Sequence, residues 1–307
     1  MSRVTSGSNR VVPLLFAAGL ACAQAQAPAT PPAFDGQGAL EHVKQLVAIG
    51  PRVAGSPGAQ KAREYITREL SALDLRVIEQ PFDAQTPLGR VRMVNLRAIV
   101  PARDGTTDGD RIVIGGHYDT KLFKEFTFVG ANDAGSSTGF LLELARVLKA
   151  RSNPRPIELL FLDGEEAVID WHTDNDNTYG SRHYVAAAKG DGSLKTVKAF
   201  ILVDMIGERG LRIKLDLNST MWLNNMIWGA AARLKRLEFV DEDTQVEDDH
   251  LPFLRAGVPS VDLIDLEYPA WHTAEDTLDK LSPASLQAVG DVLLAALPAI
   301  EKRLFGQ

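Results

Sequence analysis

The stretch Ile157-Glu158-Leu159-Leu160-Phe161-Leu162-Asp163-Gly164-Glu165-Glu166 decides the fold class. Its first six residues form a short, near-continuous apolar run, the pattern of a strand covered on both faces, and a charged turn follows at once. Residues 199–203 repeat the run and end on Asp204. Further strand patterns lie at 91–100, 111–115 and 260–264. Helical spacing fills the intervals. Ser56-Pro57-Gly58 reads as a cap and first-turn proline opening a helix to Leu70, with Ala59, Ala62, Tyr65 and Ile66 on one face. Phe140, Leu141, Leu144 and Leu148 recur at helical spacing, as do Trp222, Met226 and Ala230 within 221–237. Ser282-Pro283 opens a last helix carrying Leu286, Val289, Leu293 and Ile300, with Pro298 read as a bend. The sum is an α/β protein: a mixed, mainly parallel central sheet with helices on both faces, in one catalytic domain over residues 39–307.

Lys plus Arg number 33 against 40 Asp plus Glu, a net charge of −7, and no basic stripe is visible, so a nucleic-acid partner is excluded. The N-terminus carries Arg3 and Arg10, then an apolar stretch at 11–21 too short to span a bilayer, then Ala23-Gln24-Ala25 and Ala25-Gln26-Ala27. A signal peptide is expected over 1–25 and a Pro/Ala-rich linker over 26–38, giving an extracytoplasmic protein, secreted or periplasmic. Two other readings of this segment are a buried N-terminal helix, which Pro13 interrupts, and lipid anchoring at Cys22, the sole cysteine. Removal of that residue leaves no thiol for a disulfide or a nucleophile. No later stretch reads as long and charge-free enough to cross a membrane, and a monomer is expected.

In a parallel sheet, ligands bind at the carboxyl ends of the strands, and the chemistry-bearing residues fall there. His117-Tyr118-Asp119 follows one strand, Asp163-Gly164-Glu165-Glu166 another and Asp204 a third, while Trp271-His272 lies beyond the last. Gly130-Ala131-Asn132-Asp133 precedes the Phe140 helix. Five potential metal ligands, His117, Asp133, Glu166, Asp204 and His272, are oxygen and imidazole donors without thiolate, the donor set of a catalytic rather than a structural zinc. Successive side chains leaving a strand point apart, so one carboxylate of Glu165-Glu166 can bind metal while the other stands free as a general base. Alone, a Glu-Glu pair is an ordinary solvated pair and His-Tyr-Asp an ordinary turn; their joint placement at strand ends points to a site. The acidic run 241–249 reads as a solvated loop, except that Asp248-Asp249-His250 runs into an apolar helix that aims Asp248 inward and lets Asp249 cap it. Trp171 and Trp271 are candidates for pocket walls, the latter through its indole N–H. Asn132 and Asp119 are expected to orient the metal loop and His117, whereas His172, His183 and His250 read as structural.

From about Leu40 to the C-terminus these blocks resemble the zinc-dependent glutaminyl-peptide cyclotransferases, relatives of the zinc aminopeptidases. The blocks are Gly116-His117-Tyr118-Asp119-Thr120-Lys121, Phe128 through Asp133, Asp163-Gly164-Glu165-Glu166-Ala167, Tyr179-Gly180-Ser181-Arg182-His183 and Trp271-His272-Thr273. Trp171, the block Asp248-Asp249-His250-Leu251-Pro252-Phe253-Leu254, and Trp271 before His272 look like cyclotransferase features rather than aminopeptidase ones. The resemblance implies one zinc per chain on Asp133, Glu166 and His272, with Glu165 shuttling the proton and Asp204 and Asp248 sharing its carboxylate network. Trp171 and Trp271 would line the glutamine pocket, with Tyr268 as a third substrate-binding residue, and the substrates would be peptides or proteins with N-terminal glutamine. His117 and Asp204 stay open as a second metal site or as supports around the first. The chain departs from the family at Glu247, where a neutral amide is expected, in a shortened 264–270 segment, and in lacking the disulfide of secreted animal members. A zinc aminopeptidase remains the alternative, and a non-catalytic binding domain of the same fold the lesser one.

Overall fold

The structure, a computed structural model, describes residues 1–5, 7, 32–172 and 176–306. The chain separates into two units, residues 1–30 and 31–307. Of the first, the described residues belong to no helix or strand. The expected apolar stretch at 11–21, both Ala-x-Ala motifs and Cys22 lie outside the described residues.

In the second unit, β1 (Val77–Thr86) and β2 (Gly89–Val100) form an antiparallel hairpin, and β2 also pairs antiparallel with β4 (Ile157–Leu162). β3 (Arg111–His117) lies parallel between β4 and β5 (Val197–Asp204), while β6 (Ile213–Asp216) and β7 (Phe239–Thr244) form a separate two-stranded parallel sheet. β8 (Ser260–Ile264) pairs parallel with β5 and completes the order β1-β2-β4-β3-β5-β8. The sheet is mixed and mainly parallel, as the sequence indicates.

Alternation along the strands sorts two cores. Ile112, Ile114, Leu159, Phe161, Ile201 and Val203 face the larger one. It is covered by α1 (Gly36–Ile49), α2 (Pro57–Ala72) and α3 (Gly135–Ala150). Val113, Leu160, Leu162, Phe200 and Leu202 face the other, under α4 (Tyr179–Gly190). α5 (Met221–Leu234) joins the larger core, and α6 (His250–Arg255) packs Phe253 on Phe200 in the smaller one, ring centroids 3.9 Å apart. α7 (Pro283–Phe305) closes the chain on the larger core and runs through Pro298 as one helix.

Three expectations need correction. The linker ends before residue 38, because Phe34 is buried 4.9 Å from the Phe140 ring and Asp35 caps α1 through the Gln37 amide. α7 is long and apolar enough to cross a bilayer, contrary to the expectation that no such stretch exists. Its apolar face instead fills the core, with Leu286, Val289, Leu293, Leu297 and Ile300 fully buried. The sequence patterns omit β1, since polar residues alternate along it around Pro81; that is the composition of an edge strand, and among the described residues β1 pairs with β2 alone.

Candidate active site

The strand order reverses around β3: the chain passes from β3 to β4 on one side and then to β5 on the other, opening a crevice at their carboxyl ends. His117 ends β3 and Asp204 ends β5. Close packing fixes this edge. A Cβ on Gly116 would fall 2.7 Å from both Ser137 Cβ and the Val203 carbonyl oxygen, so only glycine lets α3 come so near. Ser137 and Thr138 then donate their hydroxyls to the His117 carbonyl, each at 3.0 Å.

Asp133 comes from the loop before α3, which is held from both sides. The buried Arg52 guanidinium donates to the carbonyls of Tyr118 (3.0 Å), Val129 (2.7 Å) and Gly130 (2.9 Å). The Asp276 carboxylate accepts the amides of Asn132 (2.8 Å) and Asp133 (3.0 Å). Neither Arg52 nor Asp276 stands out in the sequence, because each acts on backbone groups far along the chain. Asn132 supports the loop as expected, its Oδ1 accepting the Gly207 amide at 2.7 Å. Gly164, at φ 70°, turns the chain after β4, and the next two amides, of Glu165 and Glu166, donate to the two Asp119 oxygens at 3.1 and 3.4 Å. Asp119 thus orients the glutamate pair more directly than His117, whose Nδ1 is 3.6 Å away.

The side chains converge around Asp133. Its Oδ1 lies 3.2 Å from His117 Nε2 and its Oδ2 3.2 Å from His272 Nε2. His272 Nε2 is also 3.2 Å from Glu166 Oε1, and His117 Nε2 is 3.1 Å from Asp204 Oδ1. Two three-residue groups result, Asp133–Glu166–His272 and His117–Asp133–Asp204, each with donor atoms close enough to share one ion. The first group fits a metal well. Asp133 Oδ2, although 3.2 Å from an imidazole nitrogen, is buried without a hydrogen bond, and oxygen and imidazole donors suit zinc. Strain collects here as well: His272 itself, Ala134 beside Asp133 and Met205 beside Asp204 have positive φ (55°, 75° and 45°).

Behind the metal groups lies an excess of buried acid. Burial, then the charges of Asp248 and Glu166, push the Glu165 carboxyl well above the ordinary range against the pull of His117. Burial, Asp204 and Asp249 do the same to Asp248. Burial and Asp133 raise Glu166 to about 7. His272 is lifted to about 9, the carboxylates of Asp133 and Glu166 outweighing the cost of burying its charge. Of the carboxylate network that the resemblance implies, Asp204 Oδ1 receives His117 Nε2 and the Met205 amide (2.8 Å), and Asp248 meets Asp204 through charge rather than a hydrogen bond. Asp249 immediately precedes α6, in the cap position, without a capping hydrogen bond, because its backbone is already helical and its carboxylate accepts the Ser181 hydroxyl at 2.5 Å.

A cavity of about 490 Å³ opens on this cluster. Asp133, Glu165, Glu166, Asp204, Asp248 and His272 form its floor, with Trp171, Trp271 and Glu247 also lining it. Trp271 stacks on His272 at 4.5 Å between ring centroids. Two expectations fail here. Tyr268 is buried with its hydroxyl donated to Asp276 at 2.8 Å, so it supports the Asp133 loop instead of facing the cavity. His172, read as structural, is exposed at the cavity wall. His183 and His250 do lie away from it, the first stacked on Phe82 and the second 3.2 Å from Asp216.

Residues 97–297 match the family model for peptidase family M28. The chain belongs to that family. The glutaminyl-peptide cyclotransferase-like protein of Mus musculus is 31% identical, over 80% of this chain and 71% of that one. The solved glutaminyl cyclase of an Acidobacteriales bacterium is 40% identical, with TM-score 0.84, over 91% of this chain and 99% of that one. A leucine aminopeptidase precursor of Bacteroides thetaiotaomicron shares the fold at 26% identity and TM-score 0.78, over 87% and 98%. Within family M28 this chain therefore lies among relatives named for cyclisation, and it is an enzyme.

Proposed function

We propose that the protein is a glutaminyl-peptide cyclotransferase, converting the N-terminal glutamine of peptides and proteins to pyroglutamate with release of ammonia. The observation that carries this reading is one cavity in which Glu165 and Asp248 face the Asp133–Glu166–His272 group between the indoles of Trp171 and Trp271. Asp133, Glu166 and His272 would hold one zinc, which when bound supplies Lewis-acid polarisation of the side-chain amide carbonyl. The two indoles enclose the glutamine side chain and keep water off its reacting carbon. Glu165 Oε takes a proton from the α-amine as its nitrogen bonds to the amide carbon. It returns that proton to the departing amide nitrogen, which leaves as ammonia. Burial and the charges of Asp204 and Asp249 raise Asp248, which would carry a proton beside Glu165 and leave Glu165 free to ionise when the amine arrives.

Incubation with glutaminyl and leucyl peptides tests the reading: glutaminyl peptides should lose ammonia and leucyl peptides should stay intact. Release of free N-terminal residues would instead identify an aminopeptidase.

Location belongs to the same proposal. The positive start, apolar stretch and Ala-x-Ala motifs support export with cleavage after Ala25. Mass spectrometry of the mature N-terminus should find an end at Gln26, as glutamine or as pyroglutamate; a retained Met1 would contradict export by cleavage.

A further inference from the structure

The wall of the cavity that carries Trp171 is poorly held by apolar packing. Ile169 is 60% exposed, and Asp170 and His172 beside Trp171 are exposed too. Among the described residues, one side chain gathers the backbone of this turn. Asp176, 1% exposed, accepts the amides of Val168 (3.1 Å), Ile169 (2.7 Å) and Asp170 (3.1 Å) and the hydroxyl of Tyr179 (2.6 Å). Its neighbour completes the clamp: Asn177 Nδ2 donates to the Trp171 carbonyl at 2.7 Å, and the Asn177 carbonyl accepts two Arg182 nitrogens. The base of the loop is anchored separately, since the Thr178 and Tyr179 amides donate to the carbonyls of Glu165 and Gly164, each at 2.8 Å. The clamp can therefore fail while Glu165 and Glu166 keep their places.

We infer that Asp176 is a positioning residue for substrate binding, acting through Trp171: it gathers three successive backbone amides around one buried carboxylate and so sets the indole against the bound N-terminal side chain. Without that carboxylate the amides must turn toward water, because buried donors do not stay unpaired, and the tryptophan turns with them. The choice of substrate for the test rests on the cyclotransferase reading; the clamp itself does not.

The test is a double-mutant cycle on the zinc-loaded enzyme, with KM, kcat, zinc content and thermal midpoint measured for wild type, Asp176→Ala, Trp171→Ala and the pair. Asp176→Ala should raise KM for a glutaminyl peptide by roughly tenfold with kcat within about threefold and zinc retained, a loss of binding rather than of chemistry. In the Trp171→Ala background the same substitution should add less than about twofold, since residues acting as one unit are not additive. Asp176→Asn, which keeps one acceptor oxygen, should recover part of the KM. An unchanged KM, fully additive factors, or a fall in kcat that tracks zinc loss would overturn the inference. Should Asp176→Ala not fold, Asn177→Ala removes the bond to the Trp171 carbonyl together with the one Asn177 Oδ1 accepts from the Thr178 hydroxyl, and leaves Asp176 in place; it should raise KM by about threefold, and no rise would overturn the inference equally. A wild type inactive on glutaminyl peptides would count against the cyclotransferase reading alone, and the cycle would then be run on the N-terminal substrate that the wild type does cleave.

Discussion

The two edges of the central sheet bury charge in opposite ways. At the amino ends of β3 and β4, Glu158 is fully buried and fully matched. Arg97 Nε and Nη2 reach its oxygens at 2.6 and 3.1 Å, and Arg111 Nε at 2.7 Å. At the carboxyl ends, Glu165, Asp204, Asp248, Asp249 and Asp262 are buried too, and among the described residues no arginine hydrogen-bonds to them, although the Arg182 charge reaches Asp249. The Asp262 oxygens and both His250 nitrogens make no hydrogen bond. Buried charge that serves the fold is neutralised by its neighbours. Buried acid left in excess needs a cation and shared protons, and so marks chemistry.

The sharpest way to break this contrast is Glu165→Gln, which should lower kcat by about 10³-fold or more, within the range attributed to a lost general acid-base, while zinc content stays at wild-type level. Equal zinc loss in Glu165→Gln and Glu166→Gln would erase the division of labour between the two neighbours that follow the Gly164 turn. At the other edge, Glu158→Ala leaves two guanidinium groups without their counter-charge and should cost about 3–5 kcal/mol in denaturant unfolding, with activity per folded molecule unchanged. A loss of turnover at undiminished stability would mean that the matched edge also serves catalysis. Asp248→Ala should reduce kcat by about 10- to 100-fold, and Asp248→Asn, which imitates the protonated acid, should retain more. Asp241→Ala and Asp243→Ala, both exposed on β7, should behave as wild type; comparable losses in all four would reduce the acidic run to bulk charge.

The smallest effect is on stability against pH. Burial raises Glu166, Asp249 and Asp163 to about 7 in the folded chain. Between an unfolded carboxyl value near 4 and that pH the native state binds more protons than the unfolded one, so stability falls as pH rises through this window. The chelated protein should melt a few degrees higher at pH 6 than at pH 8, and zinc should flatten the difference because Glu166 would then bind as carboxylate. A chelated protein that melts higher at pH 8 would contradict the assignment of these acids as neutral.

Much of this was legible in the residues. Apolar runs ending on charged turns give the parallel strands, and the same turns supply His117, Glu165, Glu166 and Asp204, because strand direction and side-chain alternation are local properties. β1, β6 and β7 escaped, being half-exposed and without an apolar run. Arg52, Asp176 and Asp276 escaped for another reason. Each works by collecting backbone carbonyls or amides, and a backbone group has no letter in the sequence. Tyr268 departs from what the resemblance implies for a related reason: a letter in the sequence does not say which way a hydroxyl points, and Asp276 claims it.

The central claim is one zinc in a cyclising enzyme, and it is tested most directly by titrating the chelated protein with zinc while following ammonia release from a glutaminyl peptide. Activity should rise linearly and saturate at about one equivalent per chain, the ion held by Asp133, Glu166 and His272, with His117 and Asp204 engaged with each other as the structure has them. Activity that climbs until two equivalents are bound, with free N-terminal residues as the product, would contradict it.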